Sequence, residues 1–205
     1  MKTLTLVIAL ASSTLMGVAQ ENNAKVPPAK PSSFSIGAKG GFGHSFLTPY
    51  KNTIFCPSWD AGISAIYSVR EHWGVGLDVI YSAEGAKFEY LRPTGETYDI
   101  QQRLNYVRVP VKAIYFFNKY DDNFRPKVAL GPTLGILVSE ENSKDASTID
   151  LGANLTLGFN YRIARGIWIN VDATYYQGFL DVYSNTAENE LNGNIRLDAG
   201  INFGF

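Results

Sequence analysis

His44 and Ser45 set an imidazole beside a hydroxyl, the pairing a hydrolase uses to activate a nucleophile. Neighbouring residues of a strand point to opposite faces, so in an extended segment the two side chains do not meet. His72, between Glu71 and Trp73, reads as turn surface. Cys56 is the single cysteine, so an internal disulfide is excluded. With Pro57 it falls in a stretch that reads as a surface loop, where a thiol is either reactive or incidental. One Cys and two His give no metal-ligand set of recognised spacing. Glu140, Glu141, Asp145, Glu188 and Glu190 are acidic but lack the spacing of a calcium loop. GAKGGFG at 37–43 lacks the Lys-Ser/Thr ending and following helix of a phosphate loop. Its glycines read instead as room for bulky neighbours. No cofactor, no metal and no enzymatic activity are expected.

A second set of polar residues is patterned differently. Lys39, Asp60, Asp78, Glu84, Arg108, Lys112, Lys127, Asp150, Arg162, Asp172, Arg196 and Asp198 each sit on the polar side of a period-2 alternation. Six are cations and six are anions. The segments that carry them are 34–43, 59–69, 73–88, 102–117, 125–139, 148–163, 167–180 and 193–205. The opposite side carries apolar rows that no charge interrupts, such as Trp73, Val75, Leu77, Val79 and Tyr81, or Ile149, Leu151, Ala153, Leu155, Leu157 and Phe159.

These strands exceed the common soluble length of about 5–6 residues, and each supplies the ~9–11 tilted residues of a bilayer crossing. The links alternate. Residues 70–72, 118–124 and 164–166 are short; 44–58, 89–101, 140–147 and 181–192 are long. Aromatics gather at both ends of the apolar rows: Phe34, Tyr67, Trp73, Tyr115, Phe117, Phe159, Tyr161, Phe203 and Phe205 at the short-link end, and Phe42, Trp59, Tyr81, Tyr175 and Phe179 at the other. Amphipathic rings at two levels suit the two interfaces of a membrane. The expected fold is all-β: an eight-stranded antiparallel up-and-down transmembrane β-barrel with short periplasmic turns and longer surface loops. Closure is required, because an open sheet edge in hydrocarbon leaves backbone groups unpaired.

The N-terminus agrees with that destination. MKTLTLVIALASSTLMGVA combines a Lys2 n-region, an apolar stretch Leu4 to Leu10 and a small-residue cleavage site at Gly17-Val18-Ala19. It reads as a signal peptide over 1–19. Residues 20–33, with three prolines and two lysines, read as a periplasmic linker, and 34–205 as the barrel domain. The chain has 18 basic and 19 acidic residues, so bulk charge gives no drive toward nucleic acid.

Eight strands leave a lumen just wide enough for side chains. Six cations and six anions inside it are expected to pair, because an unpaired buried charge is costly. The expectation is a plugged barrel, completed by Asn105, Asn154, Asn160, Asn170, Thr156 and Tyr106. Pro110 and Pro132 fall mid-strand, where local bulges are expected. The terminal NIRLDAGINFGF keeps its alternation to the last residue. Phe203 and Phe205 there are similar to the C-terminal signal read by the outer-membrane assembly machinery.

GLDVIYSAEGAKFEY, LNYVRVPVKAIYFF and KVALGPTLGILVS carry a further likeness. With Tyr81-Ser82 and Gly85, Tyr106 through Pro110, and Gly131-Pro132 with Gly135, residues 34–205 resemble the PorT-like outer-membrane β-barrel family of Bacteroidota. The resemblance implies an outer-membrane location, no enzymatic activity and an association of the named member with protein secretion. The expected partners are outer-membrane lipid, the assembly machinery during biogenesis and a protein at the surface loops. A structural or interaction role (anchor, adhesin or secretion component) and a narrow solute channel stand as the two main readings; a membrane-embedded lipid enzyme trails both.

Overall fold

The computed structural model describes residues 34–49, 53–142, 145–183 and 189–205. The expected signal peptide, the linker and Glu188 lie outside the described residues. Among these residues nine strands follow in order: β1 (Phe34–Thr48), β2 (Thr53–Ile54), β3 (Cys56–Ser68), β4 (Trp73–Leu91), β5 (Thr97–Phe116), β6 (Phe124–Glu141), β7 (Ile149–Ala164), β8 (Ile167–Gly178) and β9 (Leu191–Gly204). Eight of them form a closed antiparallel ring, β1-β3-β4-β5-β6-β7-β8-β9, with β9 returning to β1. The two-residue β2 adds to the outer end of β4. β9 is paired along its length, from Leu191 opposite Thr48 to Gly204 opposite Ser35. Its alternation is sustained over the whole strand because β9 closes the ring.

The two faces are sorted as the period-2 pattern requires. Ile63, Leu130, Leu157 and Leu197 are each at least 56% exposed, while Asp78, Arg108 and Asp198 are at most 1% exposed. A belt of exposed aliphatics encircling the sheet is far larger than a soluble monomer's apolar patches. Aromatic rings bound it. Trp73 meets Tyr115 edge-on at 5.1 Å, and Phe124 meets Phe159 at 5.2 Å near the periplasmic turns; Trp59 meets Tyr81 at 5.5 Å toward the outer end. Eight positions separate Trp73 from Tyr81, Tyr67 from Trp59 and Phe34 from Phe42. At ~3.4 Å per residue and a tilt of ~40°, that is roughly 21 Å of height, close to the ~25 Å of an outer-membrane apolar band.

Three details differ from the sequence reading. The outer link 89–101 is mostly strand: β4 runs to Leu91, β5 starts at Thr97, and five residues turn between them. Arg-Pro-Thr-Gly-Glu makes that turn, with Gly95 Nα–H donating to the Arg92 carbonyl, Arg92 N–H donating to Glu96, and Gly95 at φ 86°. Glycine suits that left-handed position. Cys56 is not in a loop. It begins β3 opposite Ser45 and is fully buried.

The prolines make no bulge. Pairing lapses over Asp78–Val79 opposite Val109–Pro110, and over Gly131–Pro132 opposite Val111–Lys112, then resumes in unchanged register. Even-numbered β5 residues bond to β4, as the Phe116 N–H to His72 carbonyl bond shows. Pro110 thus lacks the N–H that faces β4, and Pro132 the one that faces β5. Each deletes ladder bonds locally, while the pairing on either side holds the register. The bulges lie elsewhere, at the Asn105–Tyr106 step and near Ile163.

Candidate functional site: the lumen network

All twelve alternating charges point inward, and eleven of them form ion pairs. The network has layers. In the outer half, Arg108 grips Glu84 with two parallel bonds, Nε to Oε1 and Nη2 to Oε2, both 2.7 Å. Its Nη2 also reaches Asp150 at 3.0 Å. The guanidinium lies between two rings, 4.5 Å from the Tyr106 centroid and 4.1 Å from that of Tyr176. The Tyr176 hydroxyl and Asn192 Nδ2 donate to Asp150 at 2.9 and 2.8 Å, and Ser82 donates to Glu84 at 2.7 Å. A planar donor fork suits this bidentate, stacked position; an ammonium lacks both properties.

Below it, Arg196 Nε lies 2.9 Å from Asp60 and 3.2 Å from Asp198. Lys39 bridges Asp198 at 3.1 Å and Asp78 at 3.4 Å, and Lys112 joins Asp78 at 2.6 Å. Lys127 pairs with Asp172 at 2.9 Å and donates to Asn160 at 2.8 Å. Among these groups a polar void leaves room for about one water molecule. Arg162 is the exception. Among the described residues it has no ion-pair partner; it donates to Asn123 Oδ1 at 2.7 Å and to the Asp121 carbonyl at 2.8 Å, tying the β5–β6 turn to β7.

Of the expected polar partners, Asn105 donates to Ser139, Asn154 to Thr133, Asn170 to Asn202, and Thr156 meets Thr174. Tyr106 Oη accepts from Asn192. The sequence reading omitted Tyr176, Asn192, Ser82 and Arg125. Tyr176 and Asn192 share the parity of Asp172 and Asp198, so alternation alone places them inward. What alternation does not reveal is that Tyr176 belongs to the Arg108 layer.

The sequence reading also missed two apolar closures of the lumen. At the periplasmic end Ile66, Ile114, Phe116 and Ala129 pack together, with Arg125 stacked 3.8 Å over the Phe116 ring. At the outer end Leu47, Ala86, Phe88, Leu104, Tyr106, Val182 and Tyr183 pack together, the last two from the β8–β9 connection. That connection is pinned by Ser147 N–H to the Val182 carbonyl and by Asp181 Oδ1, which accepts from Tyr183 and Glu190 N–H.

The candidate chemical groups are placed apart. Ser45 points inward and is buried, while His44 points outward between Phe46 and Phe55, its Nδ1 bonded to the Cys56 backbone. His72 Nδ1 lies 2.8 Å from the Phe116 carbonyl in its turn. Among the described residues no group of three metal-ligating side chains occurs.

A closed eight-stranded ring with an aliphatic belt, two ring girdles and an ionic interior defines a small membrane-spanning β-barrel of the outer-membrane type. The chain belongs to the family described as outer membrane protein beta-barrel domain, which matches it over residues 18–184. Its place is the cell outer membrane. No curated protein matches the chain. Among solved structures, the outer membrane protein OprG from Pseudomonas aeruginosa is similar at 14% identity and TM-score 0.56, covering 88% of this chain and 99% of that one. Neisserial surface protein A is similar at 18% identity and TM-score 0.53, covering 85% and 98%. At these identities the likeness is one of fold.

Proposed function

We propose that this protein is a non-conducting, non-catalytic outer-membrane barrel that works through the parts it presents outside the bilayer, as an anchor, adhesin or secretion- or assembly-associated component. The observation that carries this is the filled lumen: a fully buried Arg108 clamped by Glu84, Asp150, Tyr106 and Tyr176, with an apolar cluster above and another below. Moving an ion through requires breaking charge pairs in a low-dielectric interior, and removing one partner of such a pair costs about 3–5 kcal/mol. Separation of His44 from Ser45 supports the non-catalytic part. The motifs around Tyr81-Ser82, Tyr106 to Pro110 and Gly131-Pro132 support membership of the PorT-like branch. Phe203 and Phe205 are exposed on and just after β9, which supports their use as a recognition signal by the assembly machinery, and processing after Ala19 precedes that step.

The test is single-channel recording of the refolded 20–205 barrel in a planar bilayer. A silent bilayer is expected, with folding verified by heat-modifiable gel mobility. Steady openings whose ion selectivity changes in Arg108→Ala would make this a narrow channel instead.

A further inference from the structure

The barrel wall ends unevenly. Among the described residues β5 pairs with β6 from Arg103 onward, opposite Glu141, whereas its pairing with β4 continues to Thr97 opposite Leu91. A two-stranded ribbon therefore runs past the end of the β5–β6 pairing, and every residue from Glu89 to Ile100 is exposed. The register fixes which backbone groups are free. Arg92 and Glu96 are bonded across the ribbon, so the positions that alternate with them, Thr97, Asp99 and Gln101, turn their N–H and C=O groups away from β4. Asn142 Nδ2 caps the Gln101 carbonyl at 3.2 Å. Among the described residues, Thr97 and Asp99 have no backbone partner on that side.

An unpaired edge is a template for another strand, and proteins commonly blunt it with charged side chains, proline or a bulge. From Thr97 to Gln101 the single charge is Asp99, which Lys87 neutralises at 2.6 Å, and no proline or bulge interrupts the stretch. β2 shows that this ribbon accepts a strand, since Thr53 and Ile54 add to its other edge opposite Phe88 and Lys87. Stiffness is built in: Tyr90 and Tyr98 stack at 5.6 Å, Arg92 lies 5.0 Å over Tyr98, and Lys87 meets Asp99 at 2.6 Å. With Asp99 paired to Lys87 and Glu96 to Arg92, the surroundings keep an acidic excess, Glu89, Glu140 and Glu141 against Arg103. A second copy docking here edge to edge sets acidic edge against acidic edge.

Building on the reading of an interaction protein, we infer that the Thr97–Gln101 edge of β5 binds an extended, lysine- or arginine-bearing segment of a partner protein by strand addition. Main-chain bonds supply the attachment and alternate basic side chains face the acidic rim.

The test uses the full barrel in nanodiscs and a fluorescein-labelled octapeptide of alternating Val and Lys, read by anisotropy. A Val/Glu peptide and a Val/Lys peptide N-methylated at alternate residues serve as comparisons. Thr97→Pro removes one of the edge donors without changing charge or a bond to β4. Expected is binding of the Val/Lys peptide that weakens about tenfold or more on N-methylation and in Thr97→Pro, as loss of main-chain bonds at an edge requires. No binding, or binding insensitive to both changes, overturns the inference. So does a dimer of the chain itself that Thr97→Pro abolishes. A failure here with a silent bilayer leaves the non-conducting reading standing; channel openings overturn that reading separately.

Discussion

Arg108 is buried, stacked between two tyrosines and bonded to two carboxylates. Arg108→Ala leaves Glu84 and Asp150 uncompensated in the interior, so a loss of about 3–5 kcal/mol is expected, measured as a fall in the urea midpoint of the refolded barrel. The paired variant Arg108→Met, Glu84→Gln recovers part of that loss, because no stranded charge of Glu84 remains. The backbone opposite is shaped to this side chain. A Cβ at Gly135 sits 2.8 Å from Arg108 Nη1, and the clamped guanidinium has nowhere to retreat. Gly135→Ala is expected to destabilise by about 1–3 kcal/mol in the same assay. Inwardness of Arg108 is legible from alternation alone. Its partners are not, because Glu84, Asp150 and Tyr176 come from three other strands whose relative heights depend on shear.

At the scale of single elements, β5 is the strand with interrupted ladders on both sides, caused by Pro110 toward β4 and by Pro132 of β6. Pro132 faces lipid, so Pro132→Val restores an N–H without disturbing the lumen. A gain of about 0.5–1.5 kcal/mol is expected, with slowed amide exchange at Val111, the residue opposite position 132, as the local readout. The prolines are visible in the sequence, yet their effect is not: a free strand relieves a missing donor by bulging, whereas a strand paired on both sides in a ring keeps its register. The ribbon of β4 and β5 shows the same limit from the other direction. Polarity of residues 89–101 reads as loop, but both faces of a ribbon standing in water are solvated, so its alternation carries no apolar signal.

For the molecule as a whole, stability rests on closure. β9 bonds to both β8 and β1, so deleting 191–205 exposes two strand edges to hydrocarbon. No heat-modifiable species is expected from that truncation in detergent or lipid. Phe203→Ser with Phe205→Ser keeps the pairing and removes two exposed rings; the refolded barrel is expected to retain its unfolding free energy, read from the urea midpoint, within about 1 kcal/mol, while its assembly into cell outer membranes falls. If the midpoint fell as far as in Arg108→Ala, the rings would be structural supports and not a recognition signal.

Alternation of apolar and charged residues, strand length and the two aromatic levels determine a membrane barrel from sequence alone, because a period of two leaves each side chain only two faces and the bilayer accepts only one kind. The same rule assigns Lys39, Asp60, Asp78 and the other charges to the lumen. Tertiary structure alone decides who pairs with whom. It sets Lys127 on Asp172, leaves Arg162 to the carbonyl of Asp121 and the amide of Asn123, brings Tyr176 onto Arg108, and folds Val182 and Tyr183 over the mouth. Those contacts join residues tens of positions apart, and their heights follow from how the whole ring is staggered, a quantity that no single strand encodes.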